Sequence, residues 1–442
     1  MVKKFILFFI LLGVVNCNAQ GKWYDLDGSL GCNSANCQYW QTAYAICPDT
    51  VNNVLYVGGE FNLAGGISQN GLSKWNGTSW VTVPDNGFKS VDALIMYNGS
   101  LYVGQTYASG AWRFDGSNWY TLPKLNGNVA CFCVYEDTLY AGGSFNYGDS
   151  TTLNCIAKWS GSKWLPLGKG VYGSCCPEVF ALTVYNNQLI AGGYYTNAGN
   201  ISAISVAVWN GSDWAQLGCC INGYYSPDII TSMEVFQGKL FVADVDSVNN
   251  YPVYGVASWD GTNWDSLNEE PELGTILKAF NGYLFMGGEA GQYNEFIEKY
   301  DGVNLTPVDS GVNASVYSLA ALNGSLYVGG EFDTVGSTLK AKGIARWMPN
   351  SAGINQMTSS NNELSIYPNP FSQQTTLQFS QPTAANAKLT IFDLTGRQVG
   401  NYFIASGTKN LTIKRNNLPA GMYFYRLACN SAPIITGKIV AE

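Results

Sequence analysis

Three glutamates follow Gly-Gly pairs at equivalent points of the chain: Glu60 after Gly58-Gly59, Glu289 after Gly287-Gly288 and Glu331 after Gly329-Gly330. Carboxylates repeated at one structural position make a partial acidic ring, and paired carboxylates are the groups that cleave glycosidic bonds. Spacing alone sets no distance between them, and capping of nearby backbone donors is the commoner use of such side chains. Asp25-Leu26-Asp27-Gly28 and Asp244-Val245-Asp246-Ser247 place carboxylates two apart, as calcium loops do. Neither continues with the remaining ligand spacing, so turn-forming aspartate is the preferred reading. Tyr172, Tyr194, Tyr195, Tyr224 and Tyr225 lie in long connections. Two readings stand for them: a stacking surface for sugar or protein, or a minor core beneath cysteine-rich loops. The 442 residues include no histidine. That removes the commonest general base, the usual zinc ligand and every Ser-His or Cys-His pair. No CxxC pair compensates, so no metal or other cofactor is expected.

The net charge of −8 comes without any basic stretch, which argues against nucleic acid as a partner. Lys3-Lys4, the apolar run Phe5 to Val15 and the small-residue end Cys17-Asn18-Ala19 read as a signal peptide over 1–19, cleaved before Gln20. Lipidation at Cys17 is the lesser reading, because Asn16 is a poor residue before a lipidated cysteine. No later segment is long and apolar enough to span a membrane as a helix. Twelve cysteines, eleven after cleavage, favour disulfides in an exported chain, with at least one thiol left over. Cys32, Cys37, Cys175, Cys176, Cys219 and Cys220 fall in loops. A Cys32–Cys37 loop and bridges from the 175/176 pair to the 219/220 pair are candidate pairings that sequence does not fix.

The elements that must position these groups come from one repeated unit. Leu55-Tyr56-Val57-Gly58-Gly59 is rewritten at Leu101, Leu139, Leu189, Leu240, Leu284 and Leu326. A period of about 40–50 residues built from short strands predicts a propeller. In the second copy Val91 to Tyr97, Ser100 to Gly104, Ala111 to Phe114 and Asn118 to Leu122 read as four strands, joined in part by Asn98-Gly99 and Asp115-Gly116 turns. The third and fourth strands recur as Lys74-Trp75 with Trp80, Lys158-Trp159 with Trp164, Trp209 with Trp214 and Trp259 with Trp264. Recurrence favours packing between blades over sugar stacking. The sixth copy has Leu305 in place of the tryptophan. The seventh ends at Trp347 without a fourth strand, and Lys22-Trp23-Tyr24-Asp25-Leu26 supplies the missing one. Seven blades over 20–348 follow, with a ring closed by the N-terminal strand. The long connections then emerge on one face, where binding usually resides. These motifs resemble secreted bacterial propellers with kelch-like or delta-60-like repeats, a likeness that implies fold strongly and function weakly.

Residues 349–362, rich in Ser, Asn and Gln, read as a linker. Beyond it Leu364 to Tyr367, Thr375 to Phe379, Lys388 to Asp393, Leu411 to Ile413, Met422 to Leu427 and Ile434 to Val440 read as strands of a small Ig-like β-sandwich over 363–442. Four ordered blocks carry a closer likeness. They are Tyr367-Pro368-Asn369-Pro370-Phe371, Ile391 through Gly396 to Val399, Leu418-Pro419-Ala420-Gly421-Met422-Tyr423 and Gly437-Lys438-Ile439. Together they resemble the type A sorting domain of type IX secretion. The resemblance implies handling by that machinery in a Bacteroidota cell, removal of the tail by a surface sortase, and release or attachment at the cell surface. Within it Tyr367, Pro368, Asn369, Pro370, Gly396, Gly421, Tyr423 and Lys438 are the sorting-signal residues.

The sequence therefore reads as an all-β protein: a seven-bladed propeller followed by a sandwich. The expected function is non-catalytic binding or adhesion, secreted or at the cell surface, to a glycan or protein. The ligand-binding candidates are Glu60, Glu289, Glu331 and the five loop tyrosines. The alternatives are a carboxylate-dependent glycoside hydrolase or lyase on the long-loop face, and a structural component of the cell surface.

Overall fold

The computed structural model describes residues 21–32, 41–105, 110–218, 227–248, 251–267, 275–288, 296–349, 364–379, 387–393, 398–415, 418–429 and 432–441. The chain divides into two compact units, Met1–Ser351 and Ala352–Glu442.

Among the described residues, the first unit contains seven four-stranded antiparallel sheets. Blade one is built from Thr42–Asp49, Val54–Glu60, Leu72–Trp75 and Trp80–Val81, and blade two from Ala93–Tyr97, Ser100–Gly104, Ala111–Phe114 and Trp119–Thr121. Blades three to six open with Val129–Tyr135, Glu178–Tyr185, Met233–Phe236 and Ile276–Phe280. Blade seven combines Val316–Leu322, Ser325–Gly330 and Ile344–Pro349 with Gly21–Tyr24 from the other end of the chain. The first strands neighbour one another in turn, and that of blade seven lies against that of blade one, so the ring is closed. The Ser318 hydroxyl donates to the Ala43 carbonyl (3.2 Å) across that last junction.

The Gly-Gly pairs are demanded by close approach. A Cβ on the first glycine would meet the next blade: Gly58 at 2.4 Å from Val91, Gly142 at 2.5 Å from Val179, Gly329 at 2.8 Å from Ala43. A Cβ on the second would meet a carbonyl of its own first strand: Gly59 at 1.9 Å from Thr42 O, Gly193 at 2.0 Å from Glu178 O. These carbonyls belong to β-bulges, where the register slips at Ala43/Ala45, Val129/Cys131, Val179/Ala181 and Val316/Ser318.

The paired tryptophans face each other across strands three and four of one blade, as Trp75↔Trp80, Trp159↔Trp164, Trp209↔Trp214 and Trp259↔Trp264. Their rings lie 5.0–5.5 Å apart. Four fourth-strand indoles also reach the preceding blade. Trp80 donates to Leu26 O (2.6 Å), Trp119 to Pro84 O (2.8 Å), Trp214 to Leu167 O (2.9 Å) and Trp264 to Leu217 O (3.0 Å). Packing between blades thus carries a directional bond that pattern alone did not reveal. Apolar clusters likewise span neighbours: Tyr135 and Tyr140 of blade three pack with Leu189, Trp209 and Trp214 of blade four.

Closure rests on Trp23 standing opposite Trp347. Asp309 Oδ2 accepts from the Trp347 indole (2.7 Å), and the same carboxylate takes the Gly21 amide at 3.1 and 3.2 Å. Gly21 is obligatory there, since a Cβ would fall 2.0 Å from the Trp347 ring.

Four of the long connections are ordered hairpins. Leu63–Ala64 pairs with Ile67–Ser68, Tyr147–Gly148 with Thr151–Thr152, Asn197–Ala198 with Ile201–Ser202, and Thr334–Val335 with Leu339–Lys340. The inter-blade connections add strands to them: Leu30–Gly31 joins the first, Val171–Tyr172 the third. Both sets of connections therefore share one face. Blade five differs, because its second and third strands simply run on as Lys239–Val248 and Tyr251–Trp259.

The second unit stacks a three-stranded sheet (Leu364–Tyr367, Gln374–Phe379, Asn410–Lys414) on a four-stranded one (Gln398–Ile404, Ala387–Phe392, Gly421–Cys429, Ala432–Ala441). Leu377, Phe379 and Ile413 of one meet Leu389, Ile391, Ile404, Tyr425 and Ile439 of the other. Gln398–Ile404 is a strand that the sequence reading did not pick out, because Gly400 and Asn401 interrupt its apolar alternation.

Candidate functional site

At the inner edge of the hairpin face, the bulges turn single residues out of the ladder. In blades one and seven those residues are Tyr44 and Tyr317, and their rings meet at 5.6 Å. Glu60, paired with Thr42, ends the second strand of blade one, and Glu331 follows that of blade seven. The two glutamates act on the same neighbours. Burial pushes the Tyr44 hydroxyl well above its ordinary range, and the charges of Glu60 and Glu331 push it further. Burial also raises Glu60, as do Asp92 and Glu331. A cavity of about 410 Å³ opens beside Glu331, lined by Gln41, Thr42, Asn313, Asp333 and Lys342 among others. Its wall is set by Asn313, which donates to Asp333 (2.9 Å) and accepts from the Asp333 and Thr334 amides.

Further round the same edge, Asn128 donates to Glu178 (2.7 Å) and also holds the Ser144 amide (3.1 Å) and hydroxyl. Burial raises the Glu178 carboxyl, and Asn128 opposes the rise. The Thr231 hydroxyl lies between the Asp244 carboxylate and the Thr275 carbonyl. The edge is thus polar and mainly acidic, with two tyrosines concentrated where blades seven and one join.

Of the expected ligand residues, Glu60 and Glu331 come together, and Glu289 lies outside the described residues, as do Tyr224 and Tyr225. Tyr195 is corrected: it is wholly buried and its hydroxyl donates to Ala191 O (2.6 Å), so it is core. Tyr172 is half-buried and spends its hydroxyl on Gly199 O (3.0 Å). Tyr194 sits on the edge, paired with Glu178. The sequence reading missed Tyr44, Tyr317, Asp92 and Glu178. The signal for the tyrosines was there: each stands just before the inner strand's apolar run and is followed by a small residue, in Ala43-Tyr44-Ala45 and Val316-Tyr317-Ser318.

Cys175 and Cys176 are exposed free thiols, so the pairing with Cys219 and Cys220 is also corrected. Cys32 is disulfide-bonded, and Cys37 lies outside the described residues. Cys47, Cys133 and Cys155 are buried thiols, each pushed up to about 12 by burial. Among the described residues no group of three or more Cys, Asp or Glu is arranged to hold a metal. Nor is any helix among them long and apolar enough to cross a membrane. In blade five, Asp228 is buried beside Asp246, and its carboxylate makes no hydrogen bond of normal geometry. Only the Asp246 amide comes near enough to favour its ionised form; burial, then the Asp246 charge, push it up to about 7.

In the second unit the first and last sorting blocks bind each other. Asn369 Oδ1 accepts from the Val440 amide (2.8 Å), Asn369 Nδ2 donates to Lys438 O (3.2 Å), and the Phe371 amide donates to Val440 O (2.9 Å). Tyr367, Pro368 and Pro370 are exposed beside them, as is the Lys438 side chain. Tyr423 is buried and donates to Pro419 O (2.8 Å), while Gly421 opens the same strand and is exposed; Gly396 lies outside the described residues.

The fold defines an all-β protein of propeller type carrying a second, smaller unit. That unit has a known family: residues 365–442 match the secretion system C-terminal sorting domain. The chain is accordingly handled by type IX secretion machinery and exported to the cell surface or the extracellular space. No curated protein matches the sequence. Similar solved structures include the computationally designed Ika8 protein (13% identity, 74% of this chain and 100% of that one, TM-score 0.45). Others are BamB from Moraxella catarrhalis (12%, 75% and 92%, 0.42) and the WD40 propeller domain of Doa1 (12%, 68% and 77%, 0.33).

Proposed function

We propose that this is a non-catalytic binding or adhesion protein: a signal peptide over 1–19, a seven-bladed propeller over 20–348 with kelch-like repeats, a linker over 349–362 and an Ig-like sorting tail over 363–442 removed by a sortase. The propeller presents its hairpin face to a glycan or protein. The observation that carries this reading is the meeting of Tyr44 and Tyr317 between Glu60 and Glu331 beside an open polar cavity. Aromatic faces stack on sugar rings or apolar side chains, and flanking carboxylates accept hydroxyl or ammonium donors. Glycan-array and pull-down screening of the exported chain tests it. A retained ligand should be lost in Tyr44→Ala and weakened about tenfold or more in Glu60→Gln/Glu331→Gln, as removal of charge-assisted bonds requires. Retention unchanged in both variants would end the proposal. A second reading, a carboxylate-dependent glycoside hydrolase or lyase, is favoured by the raised Glu60 carboxyl beside Glu331. Turnover of the retained glycan, abolished by Glu60→Gln, would establish it.

A further inference from the structure

The junction of blades three and four holds a second cavity, of about 470 Å³, lined by Thr152, Asn154, Pro166, Gly168, Lys169 and Tyr172. Its frame is fixed from several sides. The Trp214 indole and the Gly170 amide both donate to Leu167 O (2.9 and 3.0 Å), and Asn154 Nδ2 donates to Lys169 O (2.6 Å). Gly170, at φ +68°, passes so close to the Asn154 carbonyl that a Cβ would fall 2.4 Å from it. The Tyr172 hydroxyl is tied to Gly199 O (3.0 Å), so the ring that lines the cavity cannot swing away. Among the described residues the exposed Lys169 has no carboxylate partner.

The junction of blades one and two is built alike and is shut. The Gly59 amide donates to Gly71 O as the Gly143 amide does to Cys155 O, which makes Asn70 the counterpart of Asn154. Counted from Trp80 and Trp164, Asp85 matches Lys169 and Phe88 matches Tyr172. There Gln69 accepts from the Val83 amide (2.6 Å), Asn70 donates to Asp85 (3.3 Å), and buried Phe88 packs edge-on against Trp112 and Trp119. Only about 10 Å³ is left. Blades three and four have Leu153 for Gln69, Lys169 for Asp85 and Tyr172 for Phe88. Their junction is open, its charge is reversed and an aromatic ring stands in its wall.

We propose that this cavity binds a carboxylated pyranose, one residue of a uronic acid glycan. The less polar face of the sugar ring stacks on the Tyr172 ring, the Thr152 hydroxyl meets a sugar hydroxyl, and the Lys169 ammonium takes the carboxylate. Tyr147 pairs with Thr152 in the hairpin register and is 51% exposed, so its ring stands on the same face for the adjoining sugar. The volume falls in the range of small-ligand sites, about 300–1,000 Å³. This site stands apart from Glu60 and Glu331 and does not rest on their ligand reading.

The test titrates the full exported chain calorimetrically with trisaccharides of galacturonic, glucuronic and mannuronic acid, and with their methyl esters, which keep the rings but lose the charge. At least one acid should bind, its ester about tenfold or more weaker, and the affinity should fall as salt is added. Lys169→Asp, which copies blade one, should abolish binding, and Lys169→Arg should keep it. Glu60→Gln/Glu331→Gln should leave it unchanged. Lys169 is exposed, so the melting temperature should hold in both of its variants and separate loss of binding from loss of fold. The proposal falls if no acid binds, if acid and ester bind alike, or if Lys169→Asp retains the acid. It falls too if hexaglutamate displaces the sugar at equal concentration, which would make the cavity a site for acidic peptides.

Discussion

Blades one, three, four and seven differ from blades two and five at the second glycine position of the repeat. The former four have Gly59, Gly143, Gly193 and Gly330 there, and each bulges in its first strand. Blade two has Gln105 and blade five Asp244, and neither first strand bulges. A side chain here and a bulge there exclude each other, because the bulge carbonyl sits about where the Cβ would be. The same choice decides the surface: bulged blades can present a residue such as Tyr44 or Tyr317 at the face. In blade five the irregularity moves to the second strand, with Asp244 at φ +63° and register slips at Ala243/Val245 and Val245/Ser247. That blade also holds the buried, poorly satisfied Asp228.

The hardest test of this contrast is Gly193→Ala. The added Cβ, 2.0 Å from Glu178 O, cannot be relieved by a rotamer change, so denaturant titration should show a loss of about 3 kcal/mol or more. Asp309→Ala probes closure in blade seven. It strips the Trp347 indole and Gly21 amide of their acceptor and should cost about 2 kcal/mol, with the Trp23 strand becoming protease-sensitive first.

Asp228→Asn probes blade five. Its folded carboxyl titrates near 7, above the ordinary aspartate value of 3.8. Between those values the folded chain holds a proton that the unfolded chain has lost, so wild-type stability falls as pH rises through the window. The variant should flatten that part of the profile and gain most at pH 8, by about 1–2 kcal/mol. A profile left unchanged would mean that Asp228 is ionised and satisfied. The smallest effect separates two tryptophans. Trp214→Phe loses the bond to Leu167 O and should cost about 1 kcal/mol, whereas the buried Trp164 indole makes no such bond and Trp164→Phe should cost less, as thermal melts would show.

Strands were legible wherever a hairpin turn flanked an alternating run, as in Ser100–Gly104 and Ala111–Phe114, which match to the residue. The long connections were read as loops because Gly65-Gly66 and Asn197-Ala198-Gly199 carry turn signals, yet two-residue strands fit between such signals. At the site, Glu60 and Glu331 stood out because they recur. Tyr195 misled because it neighbours exposed residues in sequence, while strand geometry turns it inward beside Ala191. Asp92 and Glu178 gave no signal, since each opens a new blade at a variable distance from the repeat.

Local patterning by itself determined the strands, the blade period, the closing role of Trp23 and the sorting blocks, because strand alternation and turn chemistry act over a few residues. Tertiary structure decided which glycines are obligatory, which tyrosines face solvent, and that Cys175 and Cys176 stay unpaired. Those outcomes depend on distances between groups far apart in the chain, such as Gly21 and Trp347 or Glu60 and Glu331, and only the closed ring sets them.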